Sequence, residues 1–161
     1  MPRHTEVPGR ANAVLAAMPA KLKAIVEAIP ETLWRAQPKA GGFSLVEHLC
    51  HLRDIDGDGY RVRIERMLSE DRPMLPDIDG AQLAVERDYK VQDARAALDT
   101  FSATRWAIVG RLGKLDATER RRKGLMAGTH EIDIEGLVSA MLTHDSEHLD
   151  ELEGLSAELL G

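Results

Sequence analysis

Cysteine is almost absent from this sequence: Cys50 stands alone among 161 residues. A single thiol excludes an internal disulfide and any zinc finger built on several cysteines, and it fits a reducing compartment. Aromatic residues are scarce as well, at 4%. Alanine and leucine abound instead, a balance that favours helices over strands. No apolar run approaches the roughly 20 residues that span a bilayer. The opening segment MPRHTEVPGR also lacks the apolar stretch of a secretory signal. Excess positive charge is missing too. The 21 Lys and Arg face 27 Asp and Glu, for a net −6 with histidines neutral. That argues against nucleic acid or an anionic membrane as partner, because both require a cationic face. The expectation is a cytoplasmic protein whose partner is a small molecule. The length suits one domain over 1–161, with a core from about 11 to 160, and is enough to bury a core without covalent staples.

Four segments carry an apolar period of 3.6 residues. The first runs from about Ala11 to Ile29, with Leu15, Met18, Leu22, Ile25 and Ile29 on one stripe. Pro19 lies inside it and removes a backbone donor, which predicts a kink or a late start. The second opens at Ser44, with Glu47 three residues on to complete a capping box. Its stripe continues through Leu45, Leu49, Leu52, Ile55, Val62 and Met67 to about Glu70, with Gly57 and Gly59 as weak points. A loop and a short helical piece over 81–88 precede the third segment, about Val91 to Leu115. There Ala94, Leu98, Phe101, Ile108, Leu112 and Leu115 are in register. The stretch 116–131 reads as polar and irregular, and nothing alternates like a long strand. The fourth segment runs from about Ile132 to Leu160. The pattern predicts an all-α fold, a four-helix bundle with longer connections after helices two and three.

Histidines interrupt the apolar stripe of helix four. The series 134, 137, 141, 144, 148, 152, 155, 159 places His144 and His148 at core-facing positions. Four residues apart, they share one helix face, and such a pair can hold a metal ion. A lone inward histidine is usually a core residue with one hydrogen bond. Two adjacent inward imidazoles are harder to satisfy, since each unpaired nitrogen costs free energy. Helix two offers a third ligand in His48 or His51, within EHLCHLRD. Spacing alone does not choose between them, because residues three apart share a face.

Three stretches together resemble the DinB/YfiT-like superfamily of helical-bundle metalloproteins. They are SLVEHLCHLRD on helix two, TRWAIVGRL on helix three and LTHDSEHLDEL on helix four. The resemblance implies His51, His144 and His148 as metal ligands. His51 is preferred because Leu52 and Asp54 follow it in a His-Leu-x-Asp pattern. It also implies zinc or nickel, a fourth coordination position held by water, an up-down-down-up bundle and a homodimer. Some relatives transfer low-molecular-weight thiols such as bacillithiol, mycothiol or glutathione to electrophiles.

On that basis the expected activity is a metal-dependent enzyme that transfers such a thiol, or performs a related transfer or hydrolysis. Two other readings stand beside it. One is a non-catalytic metal-binding stress-response module. The other is a zinc peptidase using the H-x-x-E-H pattern of 144–148, with Glu147 as base. That one is the weaker, lacking the distant carboxylate ligand such enzymes use. Candidates for lining the pocket or supporting the ligands are His48, Asp54, Arg105 and Trp106. Asp54 suits a hydrogen bond to a ligand histidine or to a neighbouring arginine. Arg105 suits a substrate carboxylate if it points inward. The simpler reading has it snorkelling to solvent while Trp106 packs. Asp145, Glu147 and Asp150 read as solvated, Cys50 as a packed thiol, and Trp34 and Tyr60 as core aromatics.

Overall fold

The structure, a computed structural model, describes residues 6–161. The first five residues of the opening segment, His4 among them, lie outside the described residues. Helix α1 (Glu6–Ala28) begins upstream of Pro19 and continues through it, rather than starting late. Pro30 and a 3-10 turn (Glu31–Leu33) follow. Gly41 and Gly42 then turn the chain at φ +88° and +113°, angles a side chain disfavours. The capping box forms as the sequence indicates: the Glu47 amide donates to Ser44 Oγ at 3.3 Å, and the Ser44 amide to Glu47 Oε1 at 3.2 Å. This opens α2 (Leu45–Asp54).

The second long helix is in three parts. After α2 comes a π-helical stretch, Ile55–Tyr60, and then α3 (Arg61–Ser69). Gly57 and Gly59 fall inside the π stretch. A π turn holds more residues than an α turn, so the apolar register shifts there. Val62 is the consequence: placed on the core stripe by the 3.6 period, it is 42% exposed, while Ile64 and Met67 are buried.

Strand β1 (Met74–Leu75), helix α4 (Gly80–Glu86) and a 3-10 turn (Tyr89–Val91) lead to α5 (Ala94–Gly113). The segment expected to be irregular instead folds into α6 (Ala117–Arg120) and a hairpin of β2 (Lys123–Met126) and β3 (His130–Asp133). Strand β1 joins β2 in parallel and β3 joins it antiparallel, giving the order β1-β2-β3. Gly124 permits this: a Cβ there would lie 2.7 Å from Leu75 Cδ1. Helix α7 (Ile134–Leu160) closes the chain, its amino end capped by Asp133 on the Gly136 amide.

Helices α1, α2–α3, α5 and α7 form a four-helix bundle. Among the described residues no helix is long and apolar enough to cross a membrane. The core divides in two. One half gathers Met18, Leu22, Leu49, Phe101, Leu152 and Leu155. The other gathers Leu15, Ile64, Met67, Ile108, Leu137 and Met141. On α5 the break between Phe101 and Ile108 holds Arg105, and on α7 the break between Met141 and Leu152 holds His144, Asp145 and His148. A polar layer thus crosses the bundle at mid-height. On α1, Leu15 and Val26 belong to the core, and Val14 is half exposed.

Candidate metal centre

Helices α2 and α7 bring four imidazoles into this layer. His51 Nε2 lies 3.2 Å from His144 Nε2. The His148 ring centroid is 4.6 Å from that of His51 and 4.4 Å from that of His144. One ligand atom from each of the three falls within 4.8 Å of the others. Four ligands about 2.0–2.1 Å from zinc stand about 3.3–3.4 Å apart at the corners of a tetrahedron, close to the His51–His144 separation. The donor set therefore fits a divalent cation. His48 sits on the other side of His148, with 3.2 Å between their Nδ1 atoms. Phe43, just before the capping box, packs its ring 5.5 Å from those of both His48 and His51.

The lone pairs are available at neutral pH. Burial, then the neighbouring His148 and His51, lowers the His48 pKa from 6.5 to about 3. Burial and His148 lower that of His51 to about 4, against an opposing pull from Asp54. Burial, His148, His51 and Arg105 lower that of His144 to about 3. Burial also lowers His148, although Glu151, Glu147 and Asp145 pull it upward.

These shifts set a pH dependence for the metal-free chain. A histidine depressed below 6.5 takes up its proton in the unfolded state first. Stability from these groups is fully present above about pH 6.5 and is lost progressively as the pH falls toward the folded-state values of about 4 and 3. The urea midpoint of the metal-free protein should therefore drop between pH 7 and pH 5. A flat midpoint over that range contradicts the placement of neutral, buried imidazoles.

Helix α4 presses on His51. A Cβ added at Gly80 would lie 2.7 Å from His51 Cε1 and 2.9 Å from Nδ1. That Nδ1 is buried and without a hydrogen-bond partner among the described residues. On its Nδ1 side, packing and not an acceptor holds the ring. Gly80→Ala should push His51 aside and weaken zinc binding by about 10–100-fold, the range for disturbed ligand support. Isothermal titration checks this; unchanged affinity contradicts it.

The remaining candidates go elsewhere. Arg105 neither snorkels nor waits for a substrate carboxylate. It is 0% exposed and donates to both oxygens of Asp56, at 2.8 and 3.0 Å. It also donates to both oxygens of Asp145, at 2.6 and 2.9 Å. Asp145 is accordingly buried, not solvated. Trp106 does not pack in its place; it is 59% exposed and edges a surface cleft with Pro19 and Ser102, away from the histidines. Asp54 takes the arginine role. It accepts from Arg53 Nε at 2.7 Å and Tyr89 Oη at 2.6 Å, and pairs with Arg87 at 3.1 Å. Burial raises its carboxyl, but these bonds hold it below the ordinary carboxylate value. It makes no hydrogen bond to a histidine among the described residues. Cys50 is buried, and burial pushes its thiol pKa up. Glu147 is exposed and outside the cluster.

A family model described as the DinB superfamily matches residues 15–152. The chain belongs to the DinB superfamily. The match takes in all four histidines of the layer, together with Asp56, Arg105 and Asp145. Among solved structures, this DinB-superfamily chain is similar to YfiT from Bacillus subtilis, at 22% identity and a TM-score of 0.88. The similarity covers 99% of this chain and 93% of the other. YfiT is described as a probable metal-dependent hydrolase with an unusual four-helix bundle topology. At that identity the likeness establishes the fold alone. No curated protein matches the sequence.

Three contributors to the centre escape a reading of sequence alone: Asp56, Gly80 and Tyr60. Asp56 lies in the π stretch, where the 3.6 period no longer reports the face. Gly80 opens α4, in a segment that carries no apolar period and lies outside both histidine helices in the sequence. Tyr60, a core aromatic by its sequence position, is buried, but its ring also stands 6.1 Å from that of His144. Burial pushes its phenol pKa up to about 12, so it keeps its proton. The signal that points toward Asp56 is Arg105, since an arginine that turns inward from an apolar series needs a carboxylate partner.

Proposed function

We propose that this protein is a divalent-metal-dependent enzyme that transfers a low-molecular-weight thiol to an electrophilic small molecule. His51, His144 and His148 are the proposed ligands, and zinc or nickel the proposed ion. The observation that carries this reading is the cluster itself: three neutral imidazoles converge, and no Asp, Glu or Cys joins them as a fourth donor among the described residues. A cation held by neutral ligands keeps its full charge and lowers the pKa of a thiol or water in its open position. The chain's own groups do the rest. The three histidines fix the position, Phe43 packs beside His48 and His51, and Tyr60, its phenol protonated at neutral pH, stands beside His144.

A second reading, hydrolysis with water as nucleophile, uses the same residues and is favoured by the description of YfiT. One assay separates the two. The zinc- or nickel-loaded protein is offered bacillithiol, mycothiol or glutathione with monochlorobimane, and in parallel an activated ester. Thiol-dependent conjugate above the uncatalysed rate supports transfer; ester cleavage without thiol supports hydrolysis. Absence of both contradicts an enzyme of either kind and favours a metal-binding module. A homodimer is proposed as the working assembly, and a monomer mass by light scattering contradicts it.

A further inference from the structure

Beyond the three-histidine cluster, a second set of donors shares His148. His48 Nδ1 faces His148 Nδ1 at 3.2 Å. Glu151 Oε2 lies 3.6 Å from His148 Nδ1 and 3.7 Å from His48 Nε2. One ligand atom from each of His48, His148 and Glu151 falls within 4.8 Å of the other two. His48 gives one nitrogen to an ion: through Nδ1, its 3.2 Å separation from His148 Nδ1 approaches the about 3.3–3.4 Å edge of a zinc tetrahedron, and the 3.6 Å from His148 Nδ1 to Glu151 lies close to it. A hydrogen bond between the two imidazoles accounts for a single proton. It leaves the Glu151 carboxylate aimed at two neutral rings, with no Lys or Arg paired to it among the described residues.

The two sets differ in access. A cleft of about 420 Å³ between the Gly41–Phe43 turn and α7 is lined by His48, Glu151, Gly154 and Glu158, and not by His51 or His144. The Glu151 side chain is 58% exposed, whereas that of His48 is 3%. An ion arriving from solvent through this cleft meets Glu151 and His48 before it meets the inner cluster.

We propose that His48, His148 and Glu151 form an outer cation site, which takes a divalent ion of the zinc class from solvent and passes it inward through His148. Two imidazole nitrogens and one carboxylate oxygen suit such an ion. A neutral imidazole has one lone pair, so His148 serves one site at a time. With the ion outside, Nδ1 is the ligand and Nε2 carries the proton. With the ion inside, Nε2 is the ligand, and the proton moves through solvent to Nδ1, where Glu151 or His48 accepts it. The outer binding stands on its own geometry; only the inward transfer rests on the metal-centre reading above.

The test uses the His51→Ala/His144→Ala double variant, with folding checked by far-ultraviolet circular dichroism. Titrated with zinc alone, it should still bind one ion per chain, at least 100-fold more weakly than the wild type. Adding Glu151→Gln should abolish that binding. No zinc uptake by the double variant, or uptake that survives Glu151→Gln, overturns the outer site. Stopped-flow zinc uptake covers the case in which the double variant fails to fold. Glu151→Gln in the otherwise native chain should reach one ion per chain at least tenfold more slowly than wild type, and equal rates overturn the proposal. The inner reading fails separately, if His48→Ala, whose inner cluster is intact, takes up no zinc while the double variant still binds it.

Discussion

The Arg105→Met variant should melt roughly 10 °C or more below the wild type, as removing one partner from a buried ion pair costs about 3–5 kcal/mol. Arg105 is the largest fully buried side chain of the bundle. It ties the π stretch to α7 through Asp56 and Asp145, and adds a bond to the Leu15 carbonyl of α1 at 3.2 Å. Methionine fills much of the same volume but leaves two carboxylates in the interior without a counter-charge. Burial already pushes the Asp56 carboxyl pKa up against the pull of Arg105. Without that pull it rises further. A carboxyl raised in the folded state gives stability at low pH that is lost as pH rises through its folded pKa. The gap between variant and wild type should therefore narrow from pH 7 toward pH 5. Thermal melts at both values check the result. A shift under 2 °C at pH 7 contradicts the role assigned to this layer.

His148→Ala should lose zinc affinity by at least about 100-fold, more than disturbing a ligand's support would cost, while the bundle survives. His148 belongs to both donor sets, so its removal disables the inner cluster and the outer one together. The cavity left behind should cost about 1–3 kcal/mol. The apolar halves of the core above and below the layer are independent of any ion, and water can reach the freed imidazoles of His51 and His144. Metal analysis with circular dichroism reads both effects. A variant that unfolds makes the ion structural and moves the account toward a binding module. A variant with full zinc occupancy excludes His148 as a ligand.

The four helices were legible because each carries a long apolar series, and the Ser44–Glu47 box is a local signal that tertiary packing did not override. The spacing of His144 and His148 was legible for the same reason. The failures come from local breaks in the period and from contacts between segments distant in sequence. Val62 was placed on the core because the period was carried unbroken through a π turn. Arg105 was read without its partners: Asp56 sat beyond that register shift, and Asp145 was judged by its neighbours on one helix, not by the helices covering it. The hairpin of 123–133 has strands of four residues, too short for alternation to show. The choice between His48 and His51 was not available from spacing at all. Both are buried on α2, and each meets a histidine of α7, His51 at His144 and His48 at His148.

A crystal structure of the zinc-loaded protein, with data collected at the zinc edge, tests the central claim most directly. The account predicts an anomalous peak about 2.0–2.1 Å from one ring nitrogen of each of His51, His144 and His148, with no fourth protein ligand. A peak elsewhere, a fourth side chain closing the position, or no peak at all would contradict it.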